Sequence, residues 1–247
     1  METKLPAAAV FGDSFTFGLL QHFENKGFTS DSVNDALKID QIYQQVFLIG
    51  KRGGTTHDLN SLYRQCQSPI KPLQSVMIDM GTNEIARDPS PNSCLLVAYR
   101  IMCFAEHLVN EQGVKQVFVA QVLPRVGLGG GITPQMFWDG MQLVNRLLLD
   151  WCDPEPSIHY WVHTGFWSKP LDPTSKDTWT YDGVHPNTPL GRALYKNSIR
   201  RALMKGRQST IGKSHHRGNR GGKKVQAKKA KKCCMGIKVP PFGKLYK

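Results

Sequence analysis

No stretch of this 247-residue chain approaches the roughly 20 consecutive apolar residues that a helix needs to cross a bilayer, which argues against a membrane-spanning protein. The opening Met1-Glu2-Thr3-Lys4-Leu5-Pro6 lacks the apolar centre of a secretory signal and leads straight into a strand-like run. An intracellular protein, cytoplasmic or nuclear, is therefore expected. Zinc-type spacing is missing as well. None of the six cysteines forms a C-x-x-C pair, and adjacent Cys233-Cys234 with adjacent His215-His216 would set ligands awkwardly around a tetrahedron. No metal and no cofactor are expected. Cys66, Cys94, Cys103 and Cys152 are expected to be reduced in an intracellular setting, and Cys94 and Cys103, on a predicted helix, read as small buried residues. The glycine-rich stretch 127–131 lacks the Gly-Lys-Ser/Thr ending of a phosphate loop, and no internal repeat marks a solenoid.

Acidic residues are absent from the last 43 positions. Residues 205–247 carry 14 Lys/Arg and no Asp or Glu, whereas residues 1–204 carry 18 Lys/Arg against 19 Asp/Glu. The net charge of +13 thus belongs to the tail. Helical and strand periodicity end at Gly206, and Gly, Lys, Arg and Ser dominate beyond it, a composition that cannot bury enough apolar area to offset the entropy of ordering. The expected organisation is one domain over residues 1–205 and a basic, disordered tail over 206–247. The cluster Lys223, Lys224, Lys228, Lys229, Lys231 and Lys232 suits phosphate contact or nuclear import. RNA or DNA is the expected tail partner, with an anionic membrane surface as the alternative. Oligomeric state is left open.

The first 204 residues alternate between short apolar runs and segments with helical spacing. Strands are predicted at Ala7–Phe11, Gln45–Ile49, Ser75–Met80, Gln116–Leu123 and Ile158–His163. Helices are predicted at Thr56–Arg64, Asn92–Gln112, Pro134–Trp151 and Pro189–Met204, and Gln21–Lys38 stays between short helix and loop. Such alternation predicts a flavodoxin-like three-layer α/β/α sandwich around a five-stranded parallel sheet, of the α/β class.

Three of the runs lead into residues of catalytic type. The first ends in Gly12-Asp13-Ser14, the third in Gly81-Thr82-Asn83, and the fifth leads through a loop to Asp182-Gly183-Val184-His185. Open α/β sheets bind ligands at the carboxyl ends of their strands. Ser14 is the expected nucleophile, His185 its base and Asp182 the carboxylate that orients the imidazole. The expected oxyanion donors are the Ser14 amide, Asn83 and Gly53, with Gly54 in reserve. Asp13 can fix the turn beneath Ser14 through its side chain. Each segment alone also reads as an ordinary turn. Phe137, Trp138, Phe166, Trp167 and Trp179 are candidates for walling an acyl pocket, and stretch 127–131 for a lid or a plain connection. His57 is discounted as base because no acid stands in the Asp-x-x-His position.

Taken together, Gly12-Asp13-Ser14, Gly53, Gly81-Thr82-Asn83 and Asp182-x-x-His185 resemble the SGNH (GDSL) hydrolase superfamily over about residues 7–204. Two positions depart from its pattern: Glu84 where Asp is frequent, and Phe15 where Leu is. The resemblance implies a serine esterase forming an acyl-enzyme from short-acyl, lipid or acetylated esters without a metal. Val122-Leu123-Pro124-Arg125, the glycines that follow, and Asp182-Gly183-Val184-His185 are also similar to esterase domains of animal non-LTR retrotransposon proteins. That likeness implies nucleic-acid binding by the tail, with the esterase domain as an accessory.

Overall fold

A computed structural model describes residues 5–66, 72–167, 169, 175 and 177–211. The five expected strands are present: β1 (Ala7–Gly12), β2 (Gln45–Gly50), β3 (Ser75–Asp79), β4 (Gln116–Ala120) and β5 (Ile158–Trp161). All neighbouring pairs are parallel, in the order β2-β1-β3-β4-β5. This is the flavodoxin-like order, whose direction of winding reverses between β1 and β3. Strands three, four and five end one to three residues earlier than their apolar runs. Burial alone does not extend a ladder: Val122 and Leu123 are buried, yet they lie beyond the paired segment.

Alternate residues of the central strands feed two separate cores. Ala7, Ala9 and Phe11 face a cluster shared with α3 (Leu59–Gln65), α5 (Pro91–Asn110) and α6 (Pro134–Cys152). Ala8 and Val10 face a second cluster shared with α1 (Ser14–Glu24), α2 (Val33–Ala36) and α7 (Pro189–Ile211). A period of two on a strand buried on both faces produces this division. The four cysteines of the core are buried thiols. Among the described residues, no helix is long and apolar enough to cross a membrane.

Helix α1 and a short helix α4 (Thr82–Ile85) begin directly on the Ser14 and Asn83 motifs and were not expected from the sequence. Phe15, Leu19 and Phe23 are the buried stripe of α1, at i, i+4 and i+8. Helix α7 runs past its expected end at Met204, through Gly206 to Ile211. Gly206 is buried where a Cβ would stand 2.2 Å from Ser75 Oγ and 3.0 Å from the Phe118 ring. The glycine that suggested a break instead lets the helix lie close to the sheet. The expected disorder beyond Ile211, and all six tail lysines, lie outside the described residues.

Register sets the geometry of the functional edge. Gly12 pairs with Gly50 on one side and Asp79 on the other, so three loops leave the sheet side by side. A Cβ at Gly12 would fall 2.0 Å from Thr16 Oγ1, so only glycine lets α1 start this close to β1.

Candidate active site

Ser14 is the first residue of α1, immediately after its N-cap, Asp13. The Asp13 carboxyl accepts the Phe15 N–H at 2.9 Å, which fixes the turn as the sequence suggested. The Ser14 N–H lies in the first helical turn, where amides have no partner within the helix. Ser14 Oγ stands 2.9 Å from His185 Nε2, and His185 Nδ1 stands 2.7 Å from Asp182 Oδ2. Hydroxyl, imidazole and carboxylate, drawn from positions 171 residues apart, form one continuous chain of hydrogen bonds.

The loop carrying Asp182 and His185 braces itself. Asp182 Oδ1 accepts the N–H groups of Val184 and His185 at 2.9 and 2.8 Å and the Thr180 hydroxyl at 3.0 Å. Burial by itself would raise the Asp182 pKa, but hydrogen bonds from the His185 amide, the His185 ring and the Val184 amide outweigh it and hold the carboxyl at about 2. The loop after β4 is tied to this one, because Val126 N–H donates to the Gly183 carbonyl at 2.7 Å. Stretch 127–131 thus begins as an anchored connection.

The Asn83 amide is held from both sides. Its Nδ2 donates to the Gly54 carbonyl at 2.9 Å, and its Oδ1 accepts from the Arg125 guanidinium at 3.2 Å. A guanidinium only donates, so the amide orientation is fixed, and one Nδ2 hydrogen is left over. Arg125 Nε also donates to the Gly127 carbonyl at 2.7 Å. Gly53 has φ +62 and is exposed at the cleft, whereas the Gly54 N–H is committed to the Lys51 carbonyl at 3.0 Å. The geometry favours Gly53 over Gly54 as the glycine offering an N–H to the cleft. Glu84, the departure noted in the sequence, accepts the Thr56 N–H through Oε1 and so ties α4 to the turn after Gly53.

A cavity of about 600 Å³ contains Ser14, Gly53, Asn83, Arg125, Asp182 and His185. Its apolar walls are Phe15, Phe17, Leu19, Val184 and Tyr195, and none of the five aromatics expected there lines it. Phe137, Phe166 and Trp179 are core residues. Trp138 and Trp167 are exposed and pack edge to face on each other, with ring centres 5.8 Å apart. His57 does not line the cavity either.

Sequence reasoning missed Arg125, although it follows the buried Val122–Leu123 run by the same strand-end logic that found Ser14 and Asn83. It also missed a buried polar cluster behind the serine. Tyr195 donates to Asp79 Oδ2, and its hydroxyl lies 2.9 Å from Thr16 Oγ1. His163 is fully buried, with Nδ1 2.9 Å from Ser198 Oγ and Nε2 3.8 Å from Asp79 Oδ2. Burial, and then the Asp79 carboxylate, raise the Tyr195 phenol well above its usual pKa, so it stays a donor.

A model of the GDSL-like Lipase/Acylhydrolase family matches residues 10–190. No curated protein is a significant match. Among solved structures, the fold is similar to a catalytic mutant of an acetylxylan esterase from Geobacillus stearothermophilus, with TM-score 0.58, 15% identity, and 82% of this chain and 96% of that chain covered. It is also similar to a GDSL-like lipase from Bacteroides thetaiotaomicron, with TM-score 0.55, 19% identity, and 81% and 88% covered. At these identities the two likenesses concern the fold.

Proposed function

The chain belongs to the GDSL-like Lipase/Acylhydrolase family of ester-hydrolysing enzymes, and from that premise we propose that it cleaves carboxylic esters through an acyl-enzyme on Ser14. Ser14 Oγ attacks the ester carbonyl while His185 Nε2 takes its proton. The Ser14 and Gly53 N–H groups and the spare Asn83 Nδ2 hydrogen stabilise the oxyanion. Asp182 holds the imidazole tautomer and offsets the charge of the imidazolium. His185 then protonates the departing alcohol, and a water it activates releases the acid and restores Ser14. The observation that carries this reading is the unbroken relay from Ser14 Oγ to Asp182 Oδ2, with links of 2.9 and 2.7 Å. Short acyl esters are the first substrates to try, and the acetylxylan esterase of like fold makes acetyl a reasonable start. In the test, Ser14→Ala loses p-nitrophenyl acetate hydrolysis by at least about 10³-fold while its circular dichroism is unchanged. Turnover persisting in that variant overturns the assignment.

The acid-free segment 205–247 supports a second reading, in which the chain is a retroelement-type nucleic-acid-binding protein whose esterase domain is accessory. Lys223, Lys224, Lys228, Lys229, Lys231 and Lys232 would contact phosphates. An intracellular, cytoplasmic or nuclear setting belongs to the same proposal. The two readings are compatible in one chain.

A further inference from the structure

The cavity does not end at Ser14. It continues along one face of α1, where Ser14, Gly18, Gln21, His22 and Asn25 follow one another at helical spacing. Gly18 is one of the residues lining it. A Cβ there would meet nothing within 4 Å, and its φ is not in the left-handed region, so neither packing nor backbone conformation calls for glycine. Glycine is a poorer helix former than alanine, so its presence here disfavours the helix. What it provides here is an unobstructed groove.

Two arginines flank that groove. Arg52, from the loop after β2, lies over the Phe17 ring at 4.9 Å and donates to Gln21 Oε1 at 3.2 Å, so its guanidinium is held along the groove. Arg192, in the first turn of α7, lines the same cavity. Among the described residues, no carboxylate lies within 4.0 Å of either guanidinium. The one carboxylate lining the cavity, Asp182, is occupied by His185. This positive lining is not inherited from the average surface, because residues 1–204 hold more acid than base. His22 registers the imbalance: burial, and then the charges of Arg192, Lys26 and Lys196, lower its pKa.

We infer that the α1 groove binds an oxyanion of the substrate, a carboxylate or a phosphate, held between Arg52 and Arg192 roughly 10 Å along the helix from Ser14. The substrate class is then an ester bearing an anionic group at that distance from the scissile carbonyl. The inference rests on Ser14 as the attacking residue. It makes specific use of planar guanidinium forks, which grip oxyanions in a way that a diffuse positive surface does not.

The test uses the full chain and two matched pairs of esters. The mono-p-nitrophenyl ester of octanedioic acid is compared with p-nitrophenyl octanoate, and octanoyl glycerophosphate with octanoyl glycerol. The anionic member of at least one pair is expected to show kcat/KM about tenfold or more above its neutral partner. Arg52→Gln/Arg192→Gln brings that ratio close to unity. Preference in the first pair identifies a carboxylate on the acyl side, and preference in the second a phosphate on the alcohol side. Preference in neither overturns the proposal. Gly18→Leu, which fills the groove, lowers octanoyl turnover relative to acetyl turnover. Binding is read separately by NMR titration of His22 in Ser14→Ala. Octanedioate or glycerophosphate raises the His22 pKa there, and fails to do so once both arginines are replaced. A His22 signal indifferent to both anions also overturns the proposal. Failure of the nucleophile assignment looks different, because turnover then survives Ser14→Ala. Failure of the present inference leaves turnover dependent on Ser14 but blind to substrate charge.

Discussion

Asp13 and Asp79 lie side by side beneath the serine turn, with the Asp13 N–H donating to the Asp79 carbonyl at 3.3 Å. Both carboxyls are buried. Burial, and then the Asp79 charge, push the Asp13 carboxyl well above the usual carboxylate range, against the opposing Phe15 amide. A carboxyl whose folded pKa is raised binds more protons folded than unfolded, so its effect on stability becomes unfavourable as pH rises from the unfolded value of about 3.9 through the folded one. Asp13→Asn is therefore expected to gain stability relative to wild type as pH climbs from about 4 toward neutrality. Urea midpoints of the two proteins across that range check it, and a constant gap refutes it. Asp13→Ala, which also loses the cap on α1, is expected to cost about 1 kcal/mol.

Asp182 behaves in the opposite sense. Its folded pKa of about 2 lies below the unfolded value, so its stabilising contribution is present above the ordinary carboxylate range and is lost as pH falls through about 2. The stability gap between wild type and Asp182→Asn should therefore shrink between about pH 5 and pH 2. The same variant presents His185 with the wrong partner and should lower kcat by about 10³- to 10⁴-fold, measured near neutral pH.

In the proposed mechanism, removing the Asn83 amide takes away one oxyanion donor. Asn83→Ala is expected to lower kcat by about 10²- to 10³-fold with little change in KM. Arg125→Met leaves that donor in place but unoriented, and should cost less. Because Arg125 acts through Asn83, the double variant should be scarcely slower than Asn83→Ala alone. Steady-state kinetics of the three variants decide this, and strict multiplication of the two losses rules the coupling out.

Truncation should follow Ile211, the last described residue of α7, because a cut at 205 would remove its final turns. A chain lacking 212–247 is expected to keep its ester turnover and to lose RNA affinity. In the full chain, affinity should fall steeply with salt, in proportion to the phosphates neutralised. Filter binding at several salt concentrations measures both. Equal RNA affinity in the truncated chain removes the tail as the nucleic-acid reader, and capture by anionic but not neutral vesicles redirects it to lipid.

The strands and the serine–histidine relay were legible because one rule covers both: short Val- and Ile-rich runs form a doubly covered parallel sheet, and chemistry collects where they end. Helix α1 escaped because Ser14-Phe15-Thr16-Phe17-Gly18 has few strong helix formers, and its helicity comes from packing on β1 and β2. The pocket aromatics were misjudged because sequence position near the triad loop does not say which way a ring turns. Trp179 folds beneath α7, where a Cβ at Gly191 would stand 2.0 Å from its carbonyl oxygen. Arg125 was visible as a strand-end residue, but its role depends on Asn83, 42 positions earlier, which no local pattern conveys.

The loop from Thr180 to His185 closes on itself through Asp182, which accepts from Thr180, Val184 and His185 and so holds the imidazole in place. In the proposed mechanism, an incoming ester therefore meets a base that its own loop already positions. Interaction energy gained along its remote portions is then free to favour the tetrahedral state, so longer substrates should be distinguished from shorter ones by speed more than by grip.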